Sequence, residues 1–346
     1  DQISSFKFTD SIANFISKYF VFGHPEIYSK VIMVPEKNLD VPYQDDHTMT
    51  ISLEKYIQSK LPVEMIKSRI KEIDRVEVHG IYPDLKILNE LTLRFNITEV
   101  IHFSKQKADN SNSLRPMFLV AESDSKKILV CCVTPGRDLL IHYASMLKYY
   151  LRDLLIPVRA YAYPLAEKSI DKWTGLDDKI IIKHDVVILG YSTFLKNQFE
   201  KDSAFSTLST YQNKYYSSTR FITKSGKVIN CLEANYGHWG NISDFLAQKI
   251  CQLHAAEVLH IGKVGALKSP NEVYTRIYIP KSFVIGRRNE IMSIGSRISN
   301  SMEYIKEYSS LAHVSISTTM EETFAQREKF SKKKIDTVDI ESSKIA

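Results

Sequence analysis

The run Val258-Leu259-His260-Ile261-Gly262-Lys263-Val264-Gly265-Ala266-Leu267 decides how this chain is read. Residues 258–261 have the length and apolar content of a short buried strand, and that strand ends in G-x-x-G. In open parallel sheets, ligands gather outside the carboxyl ends of the strands. Glycines placed there let backbone N–H groups come close to an anion, and Lys263 would add a point charge. The residues alone leave a second reading open, a tight turn that needs two glycines beside a solvated lysine.

Working upstream, residues 241–254 read as a helix capped by Asn241 or Ser243. A loop at 235–240, carrying Gly237 and Gly240, precedes it, and a strand at 227–233 precedes the loop. Residues 204–226 are rich in Ser, Thr and Tyr and predict a meander or surface hairpin. A further strand, residues 186–190, ends in Gly190. Downstream, the pattern predicts strands at 278–285, 313–317 and 335–340, a helix at 321–332, and another helix from Glu341. This alternation specifies an α/β architecture.

Two more segments carry candidate chemistry. In Thr337-Val338-Asp339-Ile340-Glu341-Ser342-Ser343 a strand enters a helix with two carboxylates two residues apart. Such spacing points both the same way on a strand, and a carboxylate at a strand end accepts the two hydrogen bonds that a sugar diol offers. A helix start decorated with acids is the plainer alternative. In Ser317-Thr318-Thr319-Met320-Glu321-Glu322-Thr323-Phe324-Ala325, hydroxyl residues follow a strand and lead to an aromatic. Phe324 there suits either a planar base or the core of a capped helix.

Taken in order, these three segments resemble the purine/uridine nucleoside phosphorylases and the related nucleosidases, over residues 183–346. Gly262-Lys263-Val264-Gly265-Ala266-Leu267 resembles the family's phosphate or water loop, and Val338-Asp339-Ile340-Glu341-Ser342 its ribose signature. Residues 186–190 resemble its first strand, and Tyr236-Gly237-His238-Trp239-Gly240 its glycine loop before the long helix. The resemblance implies a three-layer α/β/α sandwich around a central mixed sheet. It implies cleavage of an N-glycosidic bond of a purine nucleoside or nucleotide, by phosphate or by water. On that reading Glu341 and Ile340 bind the ribose, Gly190, Gly262, Lys263 and Gly265 bind phosphate or another anion, and Phe324 and Ala325 face the base.

The departures matter. Lys263 replaces a small hydroxyl residue, His260 stands where phosphorylases commonly have Arg, and Ile340 replaces a methionine. The family's general acid, an Asp in a later Ser-Asp pair, matches no residue here. A binding or interaction module that keeps the fold without turnover is therefore the alternative. The substrate would be a nucleoside or nucleotide, with inorganic phosphate as a second partner, and a homo-oligomer is compatible with this reading.

The remaining sequence sets bounds. With 346 residues, two domains are expected, at 1–175 and 183–346. The first reads as helical at 6–22 and 52–73, the latter broken at Pro62, and then α/β: strands at 75–81, 99–103, 117–122, 127–133 and 157–163, helices at 85–95 and 138–154, and a polar loop at 104–114. Its role has no motif to name it. The chain starts without Met and stops inside a helical pattern, so it is expected to be a segment of a longer protein, truncated in its second domain. Apolar residues at 44% and charged residues at 25% exclude a disordered chain. No run reaches a membrane-spanning length, so no membrane partner is expected. The net charge of +6 is scattered, which disfavours nucleic acid. Ten histidines show no ligand spacing, so neither metal nor cofactor is assigned. Cys131, Cys132, Cys231 and Cys251 form no CxxC; read as reduced core thiols, they point to a cytoplasmic setting.

Overall fold

The computed structural model describes residues 5–7, 31–40, 47–48, 51–81, 96–101, 116–168, 170, 175–213, 215–267, 277–287, 290–293, 309–310 and 312–346. The expected helix at 85–95, the loop at 104–114 and most of the helix at 6–22 lie outside them; Ser5–Lys7 is a strand. Two compact units emerge, one of residues 1–108, 114–169 and 317–327, the other of 109–113, 170–316 and 328–346.

The first unit holds β1 (Ser5–Lys7), β2 (Ile32–Met33), β3 (Arg75–His79), β4 (Asn96–Ile101), β5 (Met117–Ser123), β6 (Lys126–Cys132) and β7 (Val158–Ala162). They form one mixed sheet in the order β1-β4-β5-β6-β3-β7-β2, with β6, β3 and β7 parallel at its centre. Its helices include α1 (Leu53–Lys60), α2 (Val63–Arg69), α3 (Arg137–Tyr150) and α4 (Pro164–Lys168). Pro62 separates α1 from α2, as its missing N–H and fixed φ require. Ser52 caps α1 by accepting from Lys55 N. On β3, Val76 and Val78 alternate with Arg75, Glu77 and His79. The polar face is internally satisfied: Arg75 Nε donates to Glu77 Oε1 at 2.7 Å, and His79 Nδ1 lies 2.9 Å from the Tyr163 hydroxyl.

The second unit contains two five-stranded mixed sheets and a two-stranded one rather than a single central sheet. The first is ordered β12-β8-β11-β10-β9, from β8 (Val186–Gly190), β9 (Phe205–Gln212), β10 (Tyr216–Thr223), β11 (Val228–Ala234) and β12 (Glu257–Ile261). The second is ordered β13-β19-β18-β15-β16, from β13 (Gly265–Ala266), β15 (Phe283–Arg287), β16 (Glu290–Ser293), β18 (His313–Ser315) and β19 (Thr337–Asp339). β14 (Ile279–Pro280) pairs β17 (Ser309–Ser310). The helices are α5 (Ser192–Phe199), α6 (Asn241–Gln252), α7 (Phe324–Lys332), which runs from the first unit into the second, and α8 (Ser342–Ile345). Mixed sheets with flanking helices make this an α/β protein.

Several local expectations need correction. β12 is half-buried along its length, because it is an edge strand of its sheet among the described residues. Gly240, at φ 58°, caps α6 in place of Asn241 or Ser243; the Ser243 hydroxyl is spent on His238 O. Cys131, Cys132 and Cys231 are buried free thiols, but Cys251 is exposed, since it falls off the Ile242/Leu246/Ile250 stripe of α6.

Val314, Ile316, Phe330, Ile335 and Val338 form the core under the second sheet, each buried side chain worth about 1.5–3 kcal/mol. A Cβ on Gly286 would stand 3.0 Å from Val314, 3.1 Å from Phe330 and 3.2 Å from Ile316. Gly286→Ala should therefore overpack this core and cost about 1–3 kcal/mol in urea unfolding. An unchanged midpoint would contradict the packing.

Candidate functional site

β8 and β12 run parallel in register, with Leu189 opposite His260 and Gly190 opposite Ile261. Both strands therefore deliver their carboxyl ends to one place. Gly190 adopts φ +100° there, and Tyr191 N donates to Ile261 O at 2.8 Å. The close approach at Gly190 is thus to the backbone of β12, since a Cβ would lie 2.1 Å from Ile261 O. Beyond Ile261 the chain passes Gly262 and Lys263, both exposed, and enters β13. The Lys263 ammonium lies 5.0 Å from the centroid of the half-exposed Tyr191 ring, a cation–π distance.

β13 then pairs antiparallel with β19: Gly265 faces Val338 and Ala266 faces Thr337. Leu267 N extends the contact by donating to Asp336 O at 2.9 Å. This pairing sets the glycine loop beside the strand that carries Asp339; Glu341 lies past the strand end, at the start of α8, so the two carboxylates do not share a strand face as the spacing suggested. Asp339 ends β19, Ile340 is buried at 7% exposure, and half-buried Glu341 opens α8. Glu341 Oε2 accepts from Ile340 N at 3.3 Å.

Asp339 is the centre of a buried polar cluster. Its Oδ1 accepts from the Ser315 hydroxyl at 2.5 Å and from Glu341 N at 3.0 Å, and both its oxygens accept from Ser342 N at 3.1 Å. The Ser342 hydroxyl donates to Oδ2. His313 Nε2 stands 2.8 Å from Oδ1, without the alignment of a hydrogen bond. Burial alone would push the Asp339 carboxyl up. The His313 imidazole and the Ser315 and Ser342 hydroxyls outweigh burial and hold it well below the usual carboxylate range. His260 is crowded by the same group. Desolvation pushes its imidazole down to about 4, opposed by the Asp339 charge and reinforced by His238 and His313. Burial likewise pushes His238 down, against a hydrogen bond to Tyr236 O.

The fold thus brings together Gly190, Gly262, Lys263, Gly265, Ile340 and Glu341 in the second unit. Phe324 and Ala325 are placed otherwise. They begin α7 within the first unit, and the Phe324 ring is 60% exposed. The hydroxyl segment before them is engaged by distant parts of the chain: Thr318 Oγ1 lies 2.7 Å from His142 Nδ1, and Thr319 Oγ1 lies 3.4 Å from the Tyr56 hydroxyl. His313, Ser315 and His260 join the cluster around Asp339 without a motif that marks them as a group. For His313 and Ser315 the signal in the sequence is a polar residue inside an apolar strand; His260 also stands at the position of the phosphorylases' Arg. Among the described residues no cluster of His, Cys, Asp and Glu has metal-binding geometry, and no helix is long and apolar enough to cross a membrane.

No family model matches the chain. Oxidoreductase cns1 of Cordyceps militaris is 26% identical over 255 residues, covering 70% of this chain and 32% of that protein. The chain therefore spans about a third of the curated relative it matches. Solved structures it is similar to include nucleoside phosphorylases and nucleosidases. A purine nucleoside phosphorylase from Toxoplasma gondii covers 50% of this chain and 73% of its own, at 15% identity and TM-score 0.33. A 5'-methylthioadenosine/S-adenosylhomocysteine nucleosidase from Helicobacter pylori covers 48% and 78%, at 13% identity and TM-score 0.34. A uridine phosphorylase from Vibrio fischeri ES114 covers 50% and 75%, at 16% identity and TM-score 0.35.

Proposed function

We propose that the second unit binds a purine nucleoside or nucleotide and that N-glycosidic bond cleavage is the chemistry of this site. One observation supports the reading: β13, which follows the Gly262-Lys263 turn, pairs with β19, so this glycine loop runs beside the strand that leads into Ile340 and Glu341. Glu341 accepts the ribose hydroxyls in this proposal, and Ile340 packs on the sugar. Backbone N–H groups of the loop, with Lys263, hold a phosphate, either the attacking inorganic ion or a 5′-phosphate. The enzyme's contribution to the barrier is to hold sugar and nucleophile in line while positive charge develops on the ribose.

Free-base release from a panel of nucleosides and nucleotides, with and without phosphate, tests it. Release only with phosphate marks a phosphorylase, and release without it a nucleosidase. Glu341→Ala should weaken nucleoside binding roughly 10- to 100-fold, the scale of hydrogen bonds to a charged group. Unchanged affinity in a folded variant would remove Glu341 from the site.

A binding module without turnover is the second reading, favoured by Lys263 standing where the family has a small hydroxyl residue. Thermal-shift binding with no base released would select it. The name of the curated relative brings in a redox class. Nucleoside-dependent change in nicotinamide absorbance without base release would move the assignment there.

A further inference from the structure

We propose that Asp339 is a positioning residue that, with His313 and Ser315, locks the backbone of Glu341 and Ser342 so that the Glu341 carboxylate is preorganised for a ribose diol. The inference rests on the nucleoside reading and deepens it. Asp339 ends β19, the strand between β13 and β18, and is 5% exposed. Its carboxylate collects the N–H groups of Glu341 and Ser342, the first donors of the turn into α8, at 3.0 and 3.1 Å. α8 has only four residues and cannot hold its own start by helix cooperativity.

The carboxylate is itself fixed from behind. His313 and Ser315 sit two apart on β18, which runs parallel to β19 with Ser315 opposite Asp339. Ser315 reaches both sides of the turn: its hydroxyl donates to Asp339 Oδ1 at 2.5 Å and accepts from Ser343 N at 2.7 Å. His313 is oriented by Thr337, whose Oγ1 lies 2.8 Å from its Nδ1. These side chains are all buried on rigid strands, the support a precise binding carboxylate needs. A buried carboxylate costs several kcal/mol to desolvate, so this one is retained only where its partners compensate it.

The test uses the whole chain and two ligands, inosine and 2′,3′-dideoxyinosine. Asp339→Asn keeps the size but turns an N–H₂ toward backbone donors. It should speed amide exchange at Glu341 and Ser342 at least tenfold while leaving Val314 protected. It should weaken inosine about tenfold, leave dideoxyinosine and inorganic phosphate unchanged, and so erase the preference for the diol. A merely structural loss would weaken all three ligands alike. Should Asp339→Asn fail to fold, Ser342→Ala removes one contact and should show the same pattern at smaller size. Unchanged exchange at Glu341 and Ser342, or an unchanged diol preference, overturns the positioning role. Wild-type protein that binds no nucleoside overturns the nucleoside reading and the site role with it, while the exchange data still report on the turn.

Discussion

Gly190→Ala is expected to cost the second unit roughly 2–5 kcal/mol, combining a positive φ in an L-residue with overpacking. The added Cβ would stand 2.1 Å from Ile261 O, an oxygen that already accepts Tyr191 N. A flexible side chain could swing away, but a strand carbonyl can move only if β8 and β12 part where Gly190 faces Ile261. That parting displaces the start of the Gly262–Gly265 loop, so on the proposed anion role of that loop protection by inorganic phosphate in a thermal shift should fall as well. Gly226→Ala is the control. Gly226 has φ +81° with nothing within 4 Å of its would-be Cβ, so it bears the conformational cost of about 1–2 kcal/mol alone. Urea unfolding of both variants separates the two causes. Equal losses would mean that the β8–β12 approach contributes nothing.

The same contact shows what a sequence can and cannot disclose. That residues 186–190 and 257–261 are strands is local information, carried by short apolar runs ending in glycine. So is the start of α1 at Ser52 and its break at Pro62. Which strands become neighbours is not local. Nothing in Gly265-Ala266 announces that it pairs with β19, yet that pairing assembles the candidate site. The chemical character of Asp339 was equally hidden. An Asp before a helix reads as a solvated cap, and only the parallel register with β18 brings Ser315 and His313 to it. The surroundings of Phe324 are set in the same non-local way. The hydroxyls of Thr318 and Thr319 just before it meet His142 and Tyr56, far away in the chain. Side-chain hydroxyls are satisfied by whatever the topology delivers, and topology is the part that residue spacing leaves open.

Asp185→Asn should be the most costly single change to a side chain that no ligand touches. Asp185 precedes β8, is 2% exposed, and receives Arg220 from β10 in a two-pronged contact, Nε to Oδ2 at 2.6 Å and Nη2 to Oδ1 at 2.8 Å. Strand β11 lies between them in the sheet, so the guanidinium bridges three strands. Asn230 on β11 is buried beneath and already committed, its Nδ2 donating to Ile180 O at 2.7 Å and its Oδ1 accepting from Ser218 at 2.8 Å. It cannot take over the arginine. Removing the carboxylate charge leaves a guanidinium largely out of water, which typically costs about 3–5 kcal/mol. Arg220 keeps 17% of its side-chain surface exposed, so the lower end of that range is expected here. The cost belongs to the orphaned cation rather than to the lost pair. Asp185→Leu combined with Arg220→Met should therefore be more stable than Asp185→Asn alone. A double variant less stable than the single one would show that the ion pair itself, and not the burial of an unmatched charge, holds β8 to the hairpin of β10 and β11.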